Sequence, residues 1–265
     1  MTDILFSAFL LSVVLLGIHS FFGLEIIRRG IIFTDLAVGQ MAALGGAISI
    51  LFLEGEYLDP ISLAFALLGG AVIAFAARRT DKHEAFIGLL YAFGFSAVFI
   101  VLSKSSHGME AFQKLMASDI LFTPLEEIAK AAAIYVVLGA LLLIFYKKSK
   151  ATAREVLFFV TFAITVTVAV RLAGVLVVFA LLVAPSLLAL RIKKGIPIVN
   201  AWIIGTVVNV VAIAISYNFD FPTGYTLVLL HAFLALAVSL VVPARTEKAG
   251  EQAMRGQSAQ GRKEP

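Results

Sequence analysis

The chain has 265 residues, of which 61% are hydrophobic types and only 14% are Asp, Glu, Lys or Arg. Soluble domains carry roughly 45–50% apolar and about 25% charged residues, so an ordinary water-soluble globule is excluded and a polytopic membrane protein is indicated. The absence of cysteine removes disulfides, thiolate metal sites, iron–sulfur clusters and cysteine nucleophiles together, leaving His, Asp, Glu and amides to hold any metal. The net charge of +4 does not point to nucleic acid, because the basic residues sit in short segments between apolar runs.

Uncharged runs predict membrane helices, in chain order, at Ile4 to Leu24, Ile31 to Leu53 (interrupted by Asp35), Ile61 to Ala77, Ala85 to Leu102, Ala131 to Tyr146, Val156 to Val170, Leu172 to Leu190, Ile196 to Tyr217 and Phe221 to Val242. Most approach the ~20 residues that a helix needs to cross ~30 Å of hydrocarbon. The first run is preceded by Asp3 and by no Lys or Arg, and no small-residue cleavage pattern follows, so it is expected to stay as a span. Val156 to Val170 is short, and with its neighbour it forms either two tilted spans, turning near Arg171, or one span and a re-entrant helix. Met109 to Glu127 mixes apolar and charged residues as an amphipathic interfacial or docking segment would.

Of the 21 basic residues, all but Lys104, Lys114, Lys130 and Arg171 fall on one side of this alternation, while Glu54, Glu56, Asp59 and Asp220 fall on the other. Short Lys/Arg-rich loops stay in the cytoplasm. The expectation is therefore an all-α transmembrane bundle of eight or nine membrane helices over residues 1–243, N-terminus outside and C-terminus cytoplasmic. A polar, disordered cytoplasmic tail is expected over residues 244–265.

Ionisable groups in such helices are costly, by about 2.5–3.5 kcal/mol at the bilayer centre, and usually have a task. Asp35 precedes Gln40 and the small residues Ala42, Ala43, Gly45, Gly46 and Ala47. It either caps its helix or pairs with Arg28 or Arg29, or else it faces a pathway and offers oxygen to a cation, with the Gln40 amide nearby. His19 and His231 each stand alone among apolar residues, either bonding a neighbouring helix or acting as metal ligands. Arg171 either closes a hairpin at the outer surface or is buried against a carboxylate. Pro185 should kink its helix, and small pairs such as Ala173 and Gly174 allow close helix packing. No serine, aspartyl or zinc protease motif and no phosphate-cradling Gly-x-x-x-x-Gly-Lys-Ser/Thr is present, so any ATP must be bound by another chain.

Four stretches in order, GLEIIRRGIIFTDLAVGQMAALGGAIS (Gly23 to Ser49), EAFIGLLYAFGFSAVFIVLS (Glu84 to Ser103), RLAGVLVVFALLVAPSLLALRI (Arg171 to Ile192) and DFPTG (Asp220 to Gly224, with Pro222 opening the last helix), resemble the permease subunits of ABC importers for zinc, manganese and iron. The resemblance spans about Ile4 to Val242. It implies a transport subunit of the bacterial or archaeal cytoplasmic membrane without its own catalytic site, working as a homodimer. It also implies a cytoplasmic ATP-binding subunit, an extracytoplasmic metal-binding solute protein, and a divalent metal ion as cargo rather than as bound cofactor. Asp35 matches the family aspartate that, in manganese importers, shares a metal site with a His four residues later; here that position is Gly39, with Gln40 next to it. The family usually has a longer cytoplasmic stretch after its fifth helix, with a coupling helix, whereas Lys147 to Arg154 is too short for one, leaving Arg78 to Glu84 as another docking segment.

Overall fold

The computed structural model describes residues 2–241 apart from Arg78, Thr80, Asp81, Ser118, Asp119, Lys147 and Lys193, so the expected tail at 244–265 lies outside the described residues. In lipid every backbone N–H and C=O must be satisfied within the segment or by a neighbouring one, and apolar runs answer as helices. The described residues form α1 (Thr2–Arg29), α2 (Thr34–Phe52), α3 (Leu58–Ala76), α4 (His83–Leu102), α5 (Gly108–Met116), a 3-10 turn (Ile120–Phe122), α6 (Leu125–Phe145), α7 (Ala151–Ala173), α8 (Val175–Ala189), α9 (Pro197–Phe219) and α10 (Thr223–Val241), with no strand among them. Eight of these are long and apolar enough to cross a membrane. The all-α bundle expected from composition is the fold observed.

Helix ends follow local chemistry. Gly30 turns the chain out of α1 with φ of 67°, a backbone that favours glycine. Pro197 opens α9 in the first helical position, where its missing N–H is not needed. Asp220 takes a left-handed conformation after α9, and Ser216 ties the corner by donating to the Phe221 carbonyl at 2.7 Å. Pro222 and Gly224 lie in this corner, where Thr226 Oγ1 donates to the Pro222 carbonyl at 3.0 Å.

The region left open by the sequence resolves into two helices. α7 begins five residues before Val156, at Ala151, and runs 23 residues to Ala173. The chain then turns at Gly174 rather than at Arg171, with φ of 85° and the backbone N of Ala117 2.7 Å from where a Cβ would stand. α8, of 15 residues, spans only about 22 Å at about 1.5 Å per residue. It packs against α1, α9 and α10. At its middle, Gly23 of α1 lies directly on the Leu182 carbonyl. α8 is thus a short helix sheathed by others, with Pro185 buried inside it.

Within the segment Met109 to Glu127 the chain forms a short helix, α5, that also touches the bundle. α5 packs on α4, α7 and α8, sending Met116 inward while Met109 stays exposed. Its Glu110 is held below the usual carboxylate range by the hydrogen bond and charge of Lys114.

α2 is the centre, packed by α3, α4, α7 and α8 and buried along most of its length. Small residues permit this, because in lipid helices associate through van der Waals contact rather than apolar burial. A Cβ on Gly45 would stand 2.7 Å from the Ile61 carbonyl oxygen and 2.8 Å from Ser62 Cα, and one on Gly94 of α4 would stand 2.9 Å from Gln40 Cβ.

The two ends of the bundle differ in charge. At one end Arg29 donates to Tyr146 Oη at 2.8 Å, Tyr146 donates to Glu25 at 2.7 Å, and the Arg29 guanidinium lies 4.1 Å over the Phe158 ring, joining α1, α6 and α7. Burial, reinforced by the bond to Glu25, pushes the Tyr146 hydroxyl above its ordinary pKa. At the other end Arg171 meets carboxylates but is exposed rather than buried. It stands one turn from the Gly174 break and bridges Asp59 of α3 at 3.2 Å and Glu127 of α6 at 2.8 Å.

Gly45→Ala should lower the stability of the detergent-solubilised protein by about 1–3 kcal/mol, because backbone rather than a movable side chain faces the new methyl. Gly88→Ala, with nothing within 4 Å, should leave it unchanged or slightly raised. Thermal unfolding followed by gel filtration reads both.

Candidate transport site

Asp35 sits in the first turn of α2 and is only 1% exposed. Neither expected structural partner is present. The helix has no side-chain cap bond, and Arg28 and Arg29 turn to Glu25 instead, at 3.6 and 3.7 Å. Both carboxylate oxygens are buried without a hydrogen-bond partner, as is the hydroxyl of Thr34 beside it. The positive end of the α2 dipole offsets part of the cost of a charge there. Asp35 also lies toward the basic end of the bundle, since the adjoining turn is held by Glu84 of α4, which accepts from the Ile32 N–H at 2.8 Å.

Gln40 is wholly buried on the same helix. Five residues along an α-helix is about 7.5 Å of rise and about 140° of rotation, so the two side chains leave different faces. Gln40 Nε2 donates to the thioether of Met116 at 3.5 Å, its weak partner across the bundle, and Oε1 has none. Gly39, where the resembled family has a His, instead packs against Val175, Val170 and Val166.

His19 of α1 and His231 of α10 share one local arrangement. In each, Nδ1 contacts the carbonyl four residues back, Leu15 at 2.6 Å and Leu227 at 3.0 Å. In each, Nε2 is buried and unpartnered. An Nδ1–H donated to a carbonyl leaves Nε2 as a bare lone pair, the form in which imidazole ligates metals or accepts from water. His19 also meets the Tyr135 ring edge-on, with centroids 5.9 Å apart.

The four candidates are not gathered into one cage. Among the described residues no group of three or more His, Asp or Glu could hold a metal ion. What they share is buried oxygen or nitrogen with unused bonding capacity, a costly condition in an apolar interior. Asn209 shares this condition, and Met116 stands beside Gln40. Asn209 of α9 is 0% exposed, with both side-chain polar atoms unpartnered, and its signal in the sequence is an amide in the middle of the apolar run of α9, between Asn200 and Asn218. Met116 has no polar signal; only its contact with Gln40 picks it out. Above the small-residue face of α2, a cavity of about 190 Å³ reaches from Gly46 to Asp59, Lys114, Thr167 and Arg171 at the acidic end.

Residues 1–242 match the ABC 3 transport family along their whole length. The chain belongs to that family. As a member it is a multi-pass membrane component of a transporter. A protein of Haemophilus influenzae described as a probable iron transport system membrane protein is 26% identical over 259 residues, covering 91% of each chain. An uncharacterized membrane protein of Synechocystis is 24% identical over 238 residues, covering 80% of this chain and 84% of that one. Among solved structures, PsaBC from Streptococcus pneumoniae in complex with Fab superposes with a TM-score of 0.73 at 19% identity, over 87% of this chain and 89% of that chain. At that identity the likeness speaks to the fold.

An unpartnered buried carboxylate costs stability that a neutral amide of the same shape does not. Asp35→Asn should therefore raise the unfolding free energy of the ABC 3 family protein by about 1–3 kcal/mol. A thermal shift in the opposite direction would show that the carboxylate has a stabilising partner.

Proposed function

We propose that this chain is the permease of an ABC importer for a divalent transition-metal ion, zinc, manganese or iron, acting as a homodimer. In this reading ATP is hydrolysed by a separate cytoplasmic subunit, and an extracytoplasmic solute-binding protein delivers the ion. The family match over residues 1–242 carries the reading. The relative described as an iron transport protein and the absence of a nucleotide-binding motif from the sequence support it. Positive loops are retained in the cytoplasm, so the end holding Arg28, Arg29, Arg79 and Arg154 is assigned to the inside. The end holding Asp59, Glu127 and Arg171 is assigned to the outside.

Asp35, Gln40, His19 and His231 are the proposed cargo-handling groups. A carboxylate, an amide oxygen and bare imidazole nitrogens are the donors available to a divalent ion in a chain without cysteine. Spaced along the bundle rather than gathered, they suit successive weak binding, since an ion held too tightly would not leave.

One observation favours a second reading, a channel or assembly subunit without ATP coupling. Only residues 146–150 separate α6 from α7, too few for a docking helix. In the importer reading another connection at the basic end, residues 77–82 or 190–196, takes that task.

Gentle-detergent purification from native membranes should recover two copies of this chain with two copies of an ATP-binding subunit; recovery alone or with unrelated membrane proteins would transfer support to the second reading. In vesicles containing the complete complex, Asp35→Asn should lower ATP-dependent uptake of zinc, manganese or iron at least tenfold while leaving the dimer intact. Undiminished uptake would remove Asp35 from the pathway.

A further inference from the structure

Near its start α7 is flanked by two apolar grooves. One, of about 740 Å³, lies between α6 and α7, with Leu141 and Phe145 on one wall, Val156 and Val160 on the other, and Ser149 and Lys150 at its mouth. The other, of about 310 Å³, lies between α3 and α7; it shares Val156 and Val160 but has Glu155 where the first has Lys150. Phe145, Val156 and Val160 are exposed on the outside of the bundle.

The depth of the first groove matches one leaflet. α7 has 23 residues, about 34 Å at about 1.5 Å per residue, against about 30 Å of hydrocarbon. Lys150, just before its first residue, therefore stands at the level of the lipid phosphates. From Ala153 to Val160 the groove runs about 10 Å along the helix, within the roughly 15 Å of hydrocarbon that one leaflet supplies.

The mouth is built on a fixed turn. The Phe145 carbonyl accepts from the N–H groups of Lys148 at 3.1 Å and Ser149 at 2.9 Å, and from Ser149 Oγ at 2.8 Å. The Lys150 carbonyl accepts from the Arg154 N–H at 2.8 Å. Lys148 and Lys150 are both exposed, and a lysine stem lies along apolar surface while its ammonium stays at the polar boundary.

Charge selects the occupant. An apolar crevice of leaflet depth below two ammonium groups fits an acyl chain with a phosphate above it, and basic pockets between membrane helices take anionic headgroups. A second copy of the chain fits worse. In a dimer whose axis follows the membrane normal, residues at one height meet their own counterparts, so a contact through this face would bring Lys148 and Lys150 toward the same lysines, and like charges oppose it. Glu155 gives the α3–α7 groove the opposite sign, which disfavours a phosphate there.

We infer that the α6–α7 groove is a site for one anionic phospholipid of the leaflet at the basic end, its acyl chain against Phe145 and Val160 and its phosphate held by Lys148 and Lys150. The site shares no residue with Asp35, Gln40, His19 or His231, and it does not depend on the importer reading.

The test is lipid binding to the full chain, purified in non-ionic detergent, stripped of native lipid and followed by native mass spectrometry. Phosphatidylglycerol and phosphatidylcholine with identical acyl chains are the probes. The expected result is one phosphatidylglycerol per chain, bound about fivefold or more tighter than phosphatidylcholine. Lys148→Gln combined with Lys150→Gln should abolish that preference, whereas Lys194→Gln, at an exposed lysine of the same end, should keep it. Ala153→Trp, which fills the groove from the α7 wall, should weaken both lipids. All these positions are exposed, and gel filtration checks that each variant is folded. Equal affinity for the two lipids, a preference that survives the lysine pair, or binding that a folded Ala153→Trp leaves unchanged overturns the proposal. Displacement of the lipid by glycerol phosphate alone overturns it too, since the groove would then contribute nothing.

Discussion

The structure depends on how closely other helices can approach α2. In lipid the surrounding chains are as apolar as the protein, so helices gain by contact and not by escaping water. Gly45 allows the backbone of α3 to come within van der Waals distance, and Gly94 lets α4 rest on Gln40. With α7 and α8 covering the remaining sides, α2 becomes a shaft whose polar side chains have no water to fall back on. That is why Asp35 and Gln40 end up with unsatisfied atoms: the packing that makes the bundle also removes their solvent.

The charged ends act as fixed points for this shaft. At the acidic end Arg171 draws together the starts of α3 and α6 beside the break that launches α8. At the basic end Arg29, Glu25 and Tyr146 join the ends of α1 and α6, with Phe158 of α7 beneath the guanidinium. Ion pairs at solvent-accessible positions contribute little energy individually, but here each joins three helices that are far apart in the chain, so their effect is on register. Between the two ends, polar residues that need no task are quiet. Thr165 and Thr167 of α7 donate to carbonyls four residues back, as hydroxyls in membrane helices commonly do. Against that background the unpaired atoms of Asp35, Gln40, His19, His231 and Asn209 stand apart.

An arrangement of separate, under-coordinated donors suits transport better than storage. A cage of three or four ligands would hold a transition metal tightly, and an importer must release its cargo on the far side. The short α8, held by close packing at Gly174 and Gly23, is enclosed by α1, α9 and α10, and α9 also packs directly on α1 and α10.

Composition and the spacing of apolar runs were enough to establish an all-α membrane bundle, because hydrocarbon admits few other solutions for a single chain of this hydropathy. The order of four short motifs was enough for the family. Asp35, Gln40 and the two histidines were visible as polar residues in apolar runs, whereas Asn209 carried the same signal without being picked out, and Met116 carried none. Whether Asp35 paired with Arg28 or Arg29 was a question of rotamers and neighbours, and only the folded chain shows both arginines turned to Glu25. The break between α7 and α8 likewise depended on tertiary structure: Gly174 takes its positive φ where Ala117, from a distant segment, fills the space a side chain would need. What the sequence by itself determined is what lipid imposes on each segment separately, namely helix, length and polarity. Which polar group meets which, and which charge answers which, was decided by contacts between segments up to 185 residues apart, and no local pattern encodes those.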